Sequence, residues 1–318
     1  MSVRIGVSII NFRTGALTIA CAQSALVAAE GLSVDIVIVD NFSGDGSAEL
    51  IGDWIATLPP EAPVRLVLSD ENAGFSAGHN IGIEALPNAD WILLLNSDGV
   101  VAKDFFERLG HTIAQADPKT GLLAPQIEDQ HGNVQVSNFK RPSPISELER
   151  GACTGVVTKL VRRWVVALPP PANLDDIQWV SFAGVVLRQE MIADIGPMDE
   201  DYFLYFEDTE YCLRATQRGW KIGQATQARM VHFRGGSGPV KALTAQKKRL
   251  PAYFYQSRTR YFRQSFGVLG PFMANILFLL GRGIANARRL LGKPAPPGIE
   301  SEASDIWINF RTPLQSRQ

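Results

Sequence analysis

The stretch Trp91-Ile92-Leu93-Leu94-Leu95-Asn96-Ser97-Asp98 decides the fold reading. Five apolar residues run without alternation and stop directly at polar ones, as in a strand buried on both faces of a parallel sheet. A carboxylate at the carboxyl end of such a strand is costly to place unless it binds something. A hard divalent cation holding phosphates fits that position. Asn96 and Asp98, two residues apart, point to one side.

Similar apolar runs stand upstream at 5–10, 34–39 and 64–68, with helical stretches at 17–29 and 48–56. This alternation predicts an α/β protein with a doubly wound sheet, its functional residues gathered at the carboxyl ends of the strands. After Pro118 the pattern loosens. Pro142, Pro144 and the run Pro169-Pro170-Pro171 predict a long irregular loop region over one side of the sheet. Regular structure resumes at 179–187 and, as helix, from Tyr253. The stretch 292–318 contains Pro and Ser, and its last residues are expected to be poorly ordered.

The chain has 318 residues, 46% hydrophobic and 20% charged, which excludes intrinsic disorder. Its three cysteines (Cys21, Cys153, Cys212) lack metal-ligand spacing and leave an odd count, so a disulfide framework is not expected and a reducing compartment is. The formal net charge of -1 hides a split. From Tyr211 to Ile299 there are sixteen Lys and Arg and no Asp or Glu. An anionic ligand or surface is expected for this carboxy-terminal third, with a solvated basic face as the plain alternative.

Met1-Ser2-Val3-Arg4 leads at once into a short strand, so no secretory signal is expected and the protein is placed in the cytoplasm, at the inner face of the plasma membrane. That membrane placement comes from residues 266–281, an apolar segment interrupted by Pro271 and Asn275 and flanked by arginines. It is too short to span, and an interfacial anchor on anionic lipid is expected. A helix packed on the main domain or in a homodimer interface is the other reading.

The first strand ends in Asn11-Phe12-Arg13-Thr14-Gly15, without the glycine cluster a dinucleotide fold requires, which argues against a nicotinamide-dependent oxidoreductase. Asp40 leaves the second strand in Val39-Asp40-Asn41, suited to a nucleobase N–H or ribose hydroxyls, or to capping a turn. Glu71-Asn72-Ala73-Gly74-Phe75-Ser76-Ala77-Gly78-His79-Asn80 combines glycines that let backbone approach a ligand with two amide side chains. A plain glycine-rich turn reads equally well. Glu207-Asp208 follow the aromatic run Tyr202-Phe203-Leu204-Tyr205-Phe206, where a carboxylate beside rings is a credible general base or an acidic helix start. His232 ends a strand before Gly235 and Gly236, as a ligand or a structural histidine.

The order of these pieces is more specific than any one of them. Val39-Asp40-Asn41 with Asp45-Gly46-Ser47, then Asn72 through Asn80, then Leu95-Asn96-Ser97-Asp98, resemble the family 2 glycosyltransferases. Gly196-Pro197-Met198-Asp199-Glu200, Phe206-Glu207-Asp208 and Val231-His232 fit the same family, nearest its bacterial rhamnosyltransferase-like branch. The resemblance covers about Val3 to Gly267. It implies a GT-A fold, a Rossmann-like doubly wound mixed sheet, as a catalytic domain over 1–240 with a basic helical extension over 241–318. It also implies inverting transfer from a nucleoside-diphosphate sugar, with dTDP-rhamnose among the donors, to a glycan or lipid-linked acceptor in cell-surface polysaccharide synthesis. No nucleic-acid partner is expected.

By the same resemblance Asp40 binds the nucleobase, and Asn72, Gly74 and Asn80 line the nucleoside pocket. Asp98 binds Mg²⁺ or Mn²⁺ bridging the diphosphate, with Asn96 beside it and His232 as second ligand. Asp208 is the general base and Glu207 its neighbour. Gly184 shapes the acceptor side, and Arg258 touches diphosphate. Asn96 and Ser97 depart from the family pattern: Asn96 replaces the first carboxylate of an Asp-X-Asp motif, and Ser97 replaces the branch's usual proline. The alternative function is a non-catalytic nucleotide-sugar or glycan-binding module with the same fold.

Overall fold

A computed structural model describes residues 3–233 and 239–316. Strand and helix alternate first: β1 (Ile5–Asn11), α1 (Gly15–Ala28), β2 (Val34–Asp40), α2 (Ser47–Ala56), β3 (Val64–Leu68), α3 (Phe75–Glu84) and β4 (Trp91–Asn96). β5 (Gly99–Val101), α4 (Phe105–Ala114) and β6 (Thr120–Glu128) follow. A short-element region holds β7 (Asn138–Phe139), α5 (Pro144–Ala152), α6 (Gly155–Leu160), β8 (Ala167–Leu168) and β9 (Trp179–Val180). The chain returns through β10 (Gly184–Arg188), α7 (Gln189–Ile195), α8 (Glu207–Gln217) and β11 (Lys221–His232). α9 (Val240–Ala245), α10 (Ala252–Phe266), α11 (Gly270–Leu290) and α12 (Glu302–Asp305) close it.

The main sheet has the order β3-β2-β1-β4-β10-β6-β11-β5. Its first four strands are parallel, while β10 runs antiparallel to both β4 and β6. The unbroken apolar runs are explained by burial on both faces. Ile36, Ile38, Leu93 and Leu95 enter the core under α1 with Cys21, Ala22 and Ala25. Their neighbours Val37, Val39, Ile92 and Leu94 enter the opposite core with Val185, Leu187 and Tyr211. Strand order reverses at β1, whose neighbours β2 and β4 lie on either side, so a crevice opens beyond the ends of β1 and β4.

Two expectations change here. The proline-bearing excursion is structured: Ser143 and Ser146 form a reciprocal cap with Pro144 in the first turn of α5, and β8-β7-β9 make a small sheet. Proline at that position has no helical N–H to lose, so it starts a helix rather than breaking one. The carboxy-terminal stretch packs over residues 299–310, and its last two residues lie outside the described ones. Ile306 is fully buried, Asp305 accepts from Arg249 Nε at 2.8 Å, and the Ile308 carbonyl accepts from Thr259 Oγ1 at 2.9 Å.

The carboxy-terminal helices lock onto the excursion. α11 crosses α5 where Gly151 faces the Phe278 carbonyl and Gly281 faces the Leu148 carbonyl, leaving no room for a Cβ at either position. α10 reaches the 199–206 segment that leads into α8. Arg260 pairs with Asp199 at 3.0 Å and Asp201 at 2.7 Å, and the Tyr202 hydroxyl donates to Gln264 Oε1 at 2.6 Å.

Candidate active site

A cavity of about 700 Å³ opens at the crevice. Asn96 and Ser97 from the end of β4, Arg13 and Thr14 after β1, and Asn41 after β2 line it. Asn72 and Gly74 before α3, Glu207 and Asp208 at the start of α8, and His232 at the end of β11 complete the polar lining. Phe203, Tyr205, Tyr253 and Phe182 supply aromatic walls, and Lys241 a cation.

The acid pair is set by an unusual turn. Tyr205 and Phe206 both have positive φ, at 73° and 69°, a conformation costing on the order of 1 kcal/mol or more for each bulky residue. Aromatic packing from α10 holds it: Tyr205 lies against Phe254, with centroids 5.6 Å apart, and Phe206 against Tyr261 at 5.4 Å. The turn delivers Glu207 buried and Asp208 half-buried at the cavity wall. Asp208 Oδ1 accepts from the Thr209 N–H at 2.7 Å. Burial pushes Asp208 up to about 6, against the lowering effect of the Thr209 and Phe182 donors. Burial, and then the charge of Asp208, pushes Glu207 well above the usual carboxylate range, and its Oε2 has no hydrogen-bond partner. Two such carboxyls side by side do not both ionise readily, so near neutral pH Asp208 is the one available as a base.

At the opposite element ends, β11 pairs antiparallel with β5, placing His232 opposite Gly99. Its Nε2 then lies 3.1 Å from Asp98 Oδ1, although 134 residues separate them. Asp98 is almost fully buried, behind His232 and Asn96, which line the cavity. The Asp98–His232 contact is a hydrogen bond in this structure, and the same carboxylate and imidazole are the groups that would hold a divalent cation. Among the described residues no third His, Cys, Asp or Glu joins them. Remaining ligands would come from Asn96, water or a bound diphosphate.

Four expected site residues are placed elsewhere. Arg258 is buried on α10, donating to Glu147 Oε2 at 2.7 Å and Asn275 Oδ1 at 2.7 Å, and it does not reach the cavity. Burial alone would raise Glu147, but the guanidiniums of Arg150 and Arg258 hold it down to about 2. Asp40 is engaged inside the protein: Oδ1 accepts from Asn11 Nδ2 and Ser43 Oγ, both at 2.6 Å, and Oδ2 from the Ser43 N–H at 3.0 Å. It ties the ends of β1 and β2 together while Asn41, the next residue, lines the cavity. Asn80 exchanges two hydrogen bonds with the Met198 backbone, both at 3.0 Å, which fixes the loop before the acid pair. Gly184 makes room for Met230 across the sheet, and Phe182 and Ala183 form that wall instead.

The glycines of 74–82 also act within the protein. Gly74, at φ 99°, lets the Phe203 backbone approach, and Gly82 lets α3 lie directly on Ser8 of β1. Sequence reasoning missed Arg13, Asn41, Lys241, Tyr205 and Tyr253. Arg13, Asn41 and Tyr205 stood in segments already marked at strand ends or beside the acid pair, and Lys241 was a cation in the acid-free third. The segment after Phe233, with Gly235 and Gly236, lies outside the described residues.

Comparison with known proteins completes this picture. Residues 9–143 match the family described as glycosyl transferase family 2. Over that stretch the chain carries the pattern of this family. This glycosyltransferase is 26% identical over 235 residues to the N-acetylglucosaminyl-diphospho-decaprenol L-rhamnosyltransferase of Mycobacterium tuberculosis, covering 68% of this chain and 72% of that protein. It is 28% identical over 202 residues to the low-salt glycan biosynthesis hexosyltransferase Agl10 of Haloferax volcanii, covering 62% and 58%. The fold is GT-A. A Pyrobaculum calidifontis mannosyltransferase, solved with GDP-Man and Mn²⁺, superposes with a TM-score of 0.58 at 13% identity, over 92% of this chain and 77% of that one. Staphylococcus aureus TarS residues 1–349, solved with UDP, gives a TM-score of 0.51 at 13% identity, over 98% and 90%.

Proposed function

We propose that this glycosyltransferase moves a sugar, with inversion, from a nucleoside-diphosphate sugar to a hydroxyl of a glycan or lipid-linked acceptor in cell-surface polysaccharide synthesis. The observation carrying this reading is that the Glu207–Asp208 pair and the Asn96–His232 corner, with Asp98 behind it, belong to one cavity. The mycobacterial relative, a rhamnosyltransferase named for a lipid-diphosphate acceptor, supports this acceptor class and makes dTDP-rhamnose the first donor to test.

In the reaction the acceptor oxygen forms a bond to the anomeric carbon as its proton passes to Asp208. The bond from that carbon to the diphosphate oxygen breaks, and the oxygen keeps the electron pair. A pKa near 6 leaves Asp208 ionised at neutral pH while retaining basicity. Arg13 and Lys241, both lining the cavity, are placed to meet the diphosphate in the role expected of Arg258. Mg²⁺ or Mn²⁺, held by Asp98 and His232, would neutralise the charge growing on the leaving diphosphate. Phe203, Tyr205 and Tyr253 offer apolar faces to the sugars.

A panel of nucleotide sugars scored for thermal stabilisation with Mn²⁺, followed by transfer assays on the stabilising donors, tests the reading. Stabilisation by a sugar nucleotide with turnover is the expected result. Stabilisation with neither transfer nor donor hydrolysis would return the fold to the non-catalytic binding role.

A further inference from the structure

Helix α11 presents two unlike faces. Ala274, Asn275, Phe278, Gly281 and Ala285 are buried. On the other side Leu269, Phe272, Met273, Leu280, Ile284 and Leu291 form an exposed apolar stripe, with Leu269 at 65% and Leu280 at 55% exposure. The spacing of three, four and seven residues keeps these positions on one face over a length of about 30 Å. An apolar stripe of that length is unusual on a surface exposed only to water.

No single described helix is long and apolar enough to cross a membrane. α10 and α11 together meet the length and composition requirement, but they are bent by 117°, and α10 carries the buried Arg258, Thr259 and Tyr255. Spanning by this pair would tear out that packing, leaving a helix that lies flat as the geometry compatible with the fold.

Charge selects the surface. Lys293 stands exposed just past the carboxyl end of the stripe, and Arg288 flanks it about 80° around the helix from Leu280, whereas Arg289 lies on the opposite side, four residues after the buried Ala285. There is no Asp or Glu from Tyr211 to Ile299, so α11 and its flanks hold no carboxylate to meet these cations across a copy of itself. A surface that is apolar below and anionic at its rim supplies both halves of the match.

We propose that α11 docks this glycosyltransferase on an anionic bilayer, with the stripe from Leu269 to Leu291 in the acyl boundary and Arg288 and Lys293 at the phosphates. Docking would hold the protein at the surface where a lipid-linked acceptor is presented. Binding itself does not depend on that acceptor assignment.

Full-length protein should sediment with vesicles of phosphatidylcholine containing about a third phosphatidylglycerol, and less with phosphatidylcholine alone. Leu280→Glu with Ile284→Glu should lower partitioning by about tenfold or more. Arg288→Gln with Lys293→Gln should lower it about fivefold per charge at low salt. Melting temperature and donor-induced stabilisation should stay unchanged in both. Leu280→Gln with Ile284→Gln provides the same reading if the glutamates disturb folding. Absence of sedimentation, equal sedimentation of the stripe variants, or equal binding to uncharged vesicles overturns the proposal. So does a solution dimer that the stripe variants turn into monomers, since the stripe would then be covered by a second copy.

Discussion

Glu207, buried, and Asp208, half-buried at the cavity wall, stand side by side, and their two protonation states are different tools. Asp208→Asn keeps shape and hydrogen bonding but removes the proton acceptor. Transfer should fall by roughly 10²–10⁴, with donor affinity retained, as measured by turnover and by donor-induced thermal stabilisation. In the unsubstituted enzyme the rate should drop as pH falls below about 6 and level off above neutrality, because the base must be ionised. Glu207 gives the opposite sign for stability. Its folded pKa lies above the unfolded value, so stability is lost as pH rises from about 4 toward the folded value. Glu207→Gln should therefore melt roughly 2–4 °C higher at pH 8 with no such gain near pH 4, while transferring sugar more slowly. Melting curves across that range that run parallel for both proteins would refute the protonation assignment.

The decisive elements are the carboxy-terminal helices, which brace the acid pair from behind. Arg258 ties α10 to Glu147 of α5 and to Asn275 of α11. Arg258→Met should cost about 3 kcal/mol or more of stability by leaving Glu147 with one cation, with the donor KM unchanged in the folded fraction. A selective loss of donor affinity at unchanged stability would restore the diphosphate role. Lys241→Ala should do the reverse, weakening nucleoside-diphosphate affinity by about tenfold with little change in melting temperature. Truncation after Phe266 cannot report on membrane binding alone, since it removes Asn275, Phe278 and the Gly281 crossing with α5.

Across the whole molecule, the parallel half β3-β2-β1-β4 and the mixed half β10-β6-β11-β5 meet between β4 and β10, and both line the cavity. Asn96 comes from β4 and His232 from β11, so a metal-dependent site requires both halves. Nucleotide sugar at about 100 times its Kd should add about 2.7 kcal/mol of stability. Asp98→Ala should remove the part of that gain that depends on Mn²⁺ and leave the nucleotide part. An undiminished Mn²⁺ effect would exclude Asp98 and His232 as the ion's ligands.

Much of this was legible in the chain. The four parallel strands and the first two helices follow from local signals, apolar runs and turn residues, while Asn72, Gly74, Asn96 and Glu207-Asp208 were singled out as a set by the order of motifs that the chain shares with a family. The local signals work because burial on both faces and termination at a crevice are encoded within a few consecutive residues. The contact between Asp98 and His232, the internal engagement of Asp40, Asn80 and Arg258, and the position of Lys241 at the cavity were decided only by the tertiary structure. Each depends on what a distant segment places opposite the side chain. A buried arginine beside Glu147 and an exposed arginine beside a phosphate are the same letter in sequence, and only packing separates them.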